Sequence, residues 1–159
     1  MQFLKWAIIF ILFNSAFLES KEGYADNDGV EIFYVDYGPI DNEPILLVQG
    51  LGGQLTFWPD ELISVLQDNG FRPIVYDNRD VGLSKNFEEY GRPNFVWNYA
   101  KFYLGLPLTS VYSLADMASD GIAVINHLNI EQTHLLAQSM GGMITQRMVA
   151  DNNCLLYTS

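Results

Sequence analysis

The stretch "LLAQSMGGMITQ", residues 135–146, joins an apolar run to a glycine-rich helical start with no spacer between them. If the strand ends at Gln138 and the helix starts at Met140, a single residue, Ser139, has to reverse the chain. So tight a reversal strains the backbone and lifts the hydroxyl clear of the sheet, where a nucleophilic serine has to be. It also forces strand and helix backbones together, so the positions two before and two after the serine must be small. They are Ala137 and Gly141. Glycine at both is the usual pattern of such an elbow, and Ala137 departs from it by one methyl group. Gly142 is expected to let the helix pack tightly onto the sheet. The elbow aims the Met140 backbone N–H and the helix N-terminus at the space above Ser139, where a carbonyl oxygen becomes negative during acyl transfer.

A serine between a strand and a helix is, taken alone, most often an N-cap. What changes that reading is the order of elements upstream. "VEIFYVDY" alternates from Val30 to Tyr37 behind the turn signal Asn27-Asp28-Gly29, which predicts an opening hairpin. "PILLVQG" is a continuous apolar run ending in glycine, as expected of a strand buried on both faces. A helix follows with Leu62, Val65 and Leu66 at helical spacing, stopped by Asn69-Gly70, and "FRPIVYD" is the next buried strand. Strand, helix, strand implies a right-handed crossover and a parallel sheet. "SLADMASDGIAVINHLNI" is helical through Leu114, Met117, Ala118, Ile122, Ile125 and Leu128, with Ser113 as N-cap and Asp116 at N3. "THLLAQS" is then a third buried strand and "MGGMITQRMVAD" the helix after the elbow.

An oxyanion needs a second donor. In an architecture of this kind the loop "VQGLGGQL" after the first interior strand is expected to supply it, Gly50 permitting the turn and the Leu51 N–H pointing into the same space. Between the second strand and the long helix lies "NRDVGLSKN", with Gly82 at its tight point. Asp77 and Arg79 are expected to hold this loop by hydrogen bonds and a salt bridge rather than to take part in chemistry. The segment from Phe87 to Tyr112 is aromatic and weakly periodic. Phe95, Trp97, Tyr99, Phe102 and Tyr103 are expected mainly to fill core, with the lining of an apolar acyl pocket as the alternative.

On "PILLVQGLGGQLTFWP", "VYDNRDVGLS", "DMASDGIAVINHLNI" and "HLLAQSMGGMITQ" the chain resembles the α/β-hydrolase fold superfamily from about Gly23 to Asp151. Within it, "DNRDVGLS" together with "SMGGMI" is most similar to the esterase-like branch that includes aclacinomycin methylesterase. The resemblance implies a mostly parallel sheet with flanking helices. It also implies Ser139 as nucleophile and Leu51 and Met140 as oxyanion-hole donors, with no metal or organic cofactor. Gln49 stands where many members of the superfamily carry histidine.

A serine hydroxyl needs a general base, usually a histidine oriented by a carboxylate. His127 sits near the end of a helix. His134 starts the strand that Ser139 ends, roughly 16 Å away along extended chain, so neither serves. In this superfamily the order is Ser, acid, His, which places both missing members after residue 159. The chain is therefore expected to be the N-terminal portion of a single domain of roughly 250 residues, with residues 152–159 either holding the start of its next strand, Cys154 to Thr158, or being sequence foreign to the gene.

Composition narrows the function class. Eight Lys plus Arg stand against 19 Asp plus Glu with no basic cluster, which argues against a nucleic-acid surface. One cysteine, Cys154, excludes an intrachain disulfide framework and a CxxC metal site. Residues 1–20, with Lys5 before the apolar run from Trp6 to Phe13, have the layout of a secretory signal peptide. An uncleaved N-terminal anchor is the lesser option, and either sends residues 21–159 into the secretory pathway, where the protein is expected to be secreted. The expected activity is hydrolysis of a carboxylic ester of an apolar small molecule through an acyl-enzyme, the 159 residues alone being inactive. The alternatives are a hydrolase-fold binding protein or receptor without turnover, and an inactive fragment.

Overall fold

The computed structural model describes residues 20–91, 94–108 and 110–152, with the Phe95 side chain left aside. The leader expected over residues 1–20, save its last residue, and the strand expected over 154–158 lie outside the described residues.

The opening hairpin pairs β1 (Lys21–Asn27) antiparallel with β2 (Val30–Asp36), Asn27 opposite Val30. Its two-residue turn has Asp28 at φ 51° and Gly29 at φ 84°. Positive φ at both positions is the turn whose twist matches the flanking strands, which is why Asp-Gly occupies it. Then come β3 (Glu43–Val48), α1 (Asp60–Asp68), β4 (Phe71–Tyr76), α2 (Phe95–Tyr103), α3 (Leu114–His127), β5 (His134–Ala137) and α4 (Met140–Asp151). The strands form one mixed sheet in the order β1-β2-β4-β3-β5. The hairpin joins it antiparallel through β2 against β4, and β4, β3 and β5 are parallel.

Strand periodicity divides the core into two layers. Ile32 and Tyr34, Leu46 and Val48, Ile74 and Tyr76 face the side covered by α3 and α4, where they meet Met117, Ala118, Val124, Ile125, Ile144 and Met148. Their neighbours Phe33 and Val35, Ile45 and Leu47, and Val75 face the opposite side with Leu55 and with Ile63 of α1. Because consecutive side chains point to opposite faces, a strand covered on both sides must be apolar throughout. The runs "ILLV" and "IFYV" are so for this reason.

Four features differ from what the sequence pattern predicts. In α1 the residue that is fully buried is Ile63, at 5% exposure, while Val65 is 56% exposed. β5 is half-buried along its length because it pairs with β3 alone among the described strands. The aromatic segment forms α2, and its residues do not fill core: Trp97, Tyr99, Phe102 and Tyr103 are all exposed. Gly142 has nothing within 4 Å of where a Cβ would stand, so tight packing is not what it provides.

The Ser113–Asp116 capping box closes as expected: Ser113 Oγ accepts the Asp116 N–H and Asp116 Oδ2 accepts the Ser113 N–H at 2.7 Å.

Candidate active site

Ser139 stands at φ 54° and ψ −121°, the mirror image of ordinary extended backbone and a region that L-residues occupy only under constraint. The constraint is visible on both sides. The Gln138 N–H donates to Val48 O at 3.0 Å, keeping β5 in register with β3 up to the turn. The Gly141 and Gly142 N–H groups donate to Gln138 O and Ser139 O, both at 2.9 Å, so the helix winds at once. A Cβ on Gly141 would lie 2.3 Å from Val48 O and 2.9 Å from Gln49 O. Only glycine fits there. At Ala137 the methyl group is accommodated against the α3–α4 side of the core. Ser139 itself is exposed and, although it stands at the N-cap position of α4, its side chain makes no capping hydrogen bond to the helix.

The loop after β3 runs directly beside the elbow. Gly50 is buried, and a Cβ there would meet Ser139 Cβ at 3.0 Å, Gln138 O at 3.2 Å and Ser139 Oγ at 3.5 Å. Its glycine is thus demanded by close approach and not by an unusual φ; the positive φ of this loop belongs to Gly52, at 68°. Leu51 is the exposed next residue and Met140 is half-buried with its side chain against the core. Among the described residues neither Leu51 N–H nor Met140 N–H donates to a protein acceptor. The Met140 group is one of the first-turn donors that no helix can satisfy internally. Structure therefore brings Gly50, Leu51, Ser139 and Met140 together, as two adjoining backbone turns.

Behind the loop is a buried polar layer that sequence reading reached only in part. Asp77 Oδ1 accepts the Leu55 N–H at 2.7 Å and Oδ2 the Leu83 N–H at 2.9 Å. A Cβ on Gly82 would fall 2.0 Å from Asp77 Oδ2, which accounts for the glycine beside its φ of 56°. Asn78 Nδ2 donates to Gln49 O at 3.0 Å. The Gln49 side chain folds back within its own loop, Oε1 accepting the Gly50 N–H at 3.3 Å. Asn78 and Gln49 were missed as partners because no local pattern links residues 29 apart in sequence.

Asp77 holds the loop through hydrogen bonds, as expected, whereas the salt bridge of Arg79 runs outside the loop, to Asp120 on α3. Arg79 Nε and Nη2 donate to Asp120 Oδ2 and Oδ1 at 2.6 and 2.7 Å, with Asn27 Nδ2 also donating to Oδ1 at 2.8 Å. Burial by itself depresses the Arg79 pKa, but the hydrogen bond and charge of Asp120 outweigh it and hold the guanidinium above its ordinary value. The guanidinium also lies over the rings of Phe87 and Tyr112, 5.8 and 5.5 Å from their centroids. Asp80, at φ 65°, accepts the Phe87 N–H at 2.6 Å. These contacts are structural.

Neither histidine approaches the elbow. The His127 ring packs 5.6 Å from that of Tyr34. His134 sits opposite Ile45, near the start of β3, with Nε2 3.0 Å from Glu43 Oε1, whereas Ser139 lies past Ala137 and Val48 at the other end of the strand pair. Among the described residues no group of three or more His, Cys, Asp or Glu is placed to hold a metal ion, and no helix is long and apolar enough to cross a membrane.

Residues 43–154 match the family model described as the alpha/beta hydrolase fold. A putative carbamate hydrolase RutD of Variovorax paradoxus is 29% identical over 120 residues, covering 76% of this chain and 37% of its own length. The rhodomycin D methylesterase DnrP of Streptomyces peucetius is 26% identical over 125 residues, 79% of this chain and 36% of its own. Among solved structures, Est816, described as an N-acyl homoserine lactone degrading enzyme, superposes with a TM-score of 0.63 at 25% identity, covering 84% of this chain and 42% of that one. The chain thus spans a little over a third of the length of the curated relatives it matches. With the elbow, the mixed sheet and the two helical layers in place, the chain belongs to the α/β-hydrolase fold family.

Proposed function

We propose that this chain carries the nucleophile and oxyanion hole of a serine hydrolase acting on a carboxylic ester of an apolar small molecule. The observation that carries the reading is Ser139 at φ 54° and ψ −121°, exposed, with Gly50 backbone pressed against its side chain. A side chain in so unfavourable a backbone region has to be over-determined by its surroundings, and such positions cluster where the strain serves chemistry. In this reading Ser139 Oγ attacks the substrate carbonyl carbon and its proton passes to a histidine. The Leu51 and Met140 N–H groups hold the resulting oxyanion. The leaving alkoxide departs with that proton, and water, deprotonated by the same histidine, hydrolyses the acyl-enzyme. Neither His127 nor His134 is that base, since both are engaged elsewhere; the reading assigns the histidine, its orienting carboxylate and hence turnover to the part of the relatives' length that this chain does not span. Hydrolysis at a carbonyl is supported by similarity to a methylesterase and a putative carbamate hydrolase. The reading includes export, supported by Lys5 and the apolar run from Trp6 to Phe13.

The test is covalent labelling of the full-length protein with a fluorophosphonate. Wild type is expected to be labelled and Ser139→Ala not; equal labelling of the two sinks the assignment.

A further inference from the structure

The loop that presents Leu51 is gripped at both ends by the two consecutive residues that follow β4. Asn78 Nδ2 holds the carbonyl of Gln49 at 3.0 Å, and Asp77 Oδ1 holds the N–H of Leu55 at 2.7 Å. These two anchor points bracket residues 50–54. Between them the loop turns on itself, the Gly53 N–H donating to Gly50 O at 3.2 Å. The Gln49 side chain fills the inside: its Oε1 takes the Gly50 N–H, and a Cβ on Gly53 would lie 2.9 Å from that oxygen. With the Gly50 donor occupied, the next N–H along the loop is that of Leu51.

We propose that Asp77 and Asn78, immediately after β4, are positioning residues for the oxyanion hole, fixing the Leu51 N–H relative to Ser139 through the two ends of its loop. The proposal rests on Ser139 being the nucleophile.

Three observations separate this role from general support of the core. Asp77, Asn78 and Gln49 are 2%, 1% and 3% exposed, so their bonds to the loop are not exchanged with solvent. Asn78 Oδ1 and Gln49 Nε2 are buried and have no hydrogen-bond partner among the described residues. Leaving such groups unpaired is costly, and an apolar side chain of similar size avoids the cost. What Asn78 supplies that an apolar residue does not is a donor at the Gln49 carbonyl. Finally, Asp77 ties the Leu55 end to Leu83, so the loop is referenced to a second, independently braced loop.

An oxyanion hole is sensitive to this kind of support, because its donors act only within a few tenths of an ångström of the right place. A displacement of about 1 Å costs about 100-fold in rate. Asn78→Asp keeps the size and shape of the side chain but replaces the donor with a carboxylate oxygen facing the Gln49 carbonyl.

The experiment uses the full-length protein with p-nitrophenyl butyrate as substrate and a trifluoromethyl ketone as the tetrahedral-adduct mimic. For Asn78→Asp, kcat is expected to fall roughly 10- to 100-fold, with KM changed less than about twofold and ketone affinity falling in parallel with kcat. Asn78→Ser, which is smaller and uncharged, gives the same test if the aspartate variant does not fold, as judged by its melting curve. Unchanged kcat in a folded variant, or a rise in KM with kcat intact, overturns the positioning role while leaving Ser139 as nucleophile. If Ser139→Ala hydrolyses the ester as fast as wild type, the nucleophile reading fails and the positioning role fails with it.

Discussion

The carbonyl oxygen of Val48 occupies the space where a side chain at Gly141 would begin: a Cβ there would be 2.3 Å away. This one contact fixes how close α4 lies to β3, and so how abruptly the chain must turn at Ser139. Gly141→Ala is expected to force the helix away from the sheet and destabilise the protein by about 1–3 kcal/mol, the range for overpacking a close-packed site. A urea unfolding midpoint indistinguishable from wild type would show that the helix is free to shift.

Ser139 contributes strain of its own. Its φ and ψ lie in a region open to glycine but unfavourable for other residues. Ser139→Gly is expected to raise stability by about 1 kcal/mol, the relief of strain being reduced by glycine's greater entropy when unfolded. The same change is expected to abolish fluorophosphonate labelling. Thermal melts of the two proteins side by side provide the check, and a loss of stability would mean the elbow is not strained.

Arg79 and Asp120 form a buried ion pair with side chains 7% and 0% exposed. Asp120→Ala leaves the guanidinium buried without its carboxylate and is expected to cost about 3–5 kcal/mol. Removing both partners should cost less than the sum of the single changes, as a double-mutant cycle by chemical denaturation will measure.

Asp116 gives a pH dependence with a definite sign. The Ser113 side-chain hydrogen bond, then the Ser113 backbone one, lower its pKa below the ordinary carboxylate value. A depressed carboxylate adds stability that is present in full above its unfolded pKa, roughly 4, and is lost as pH falls through the folded value. Asp116→Asn is therefore expected to melt below wild type at pH 7, with the difference shrinking as the pH is taken below about 4. A difference that grows on acidification would contradict the capping-box account.

Much of this architecture follows from local pattern. The apolar run before Gly50, the Asp28-Gly29 turn and the Ser113–Asp116 box act through neighbours a few residues apart, so sequence alone determined the hairpin, the capped helix, the parallel pairing across the crossover and the elbow at Ser139. The small residue at position 141 was equally readable, because an abrupt turn demands it whatever lies around it. Other features are settled by packing between distant segments. That Gly50 is glycine for the sake of Ser139 depends on two turns meeting across β3 and β5. That Arg79 pairs with Asp120, and Asn78 with Gln49, depends on which helix and which loop the sheet places beside them. The exposure of Trp97 and Tyr103 against the expectation of burial has the same origin: aromatic content says a segment favours an apolar contact, but only the tertiary structure decides whether one is made.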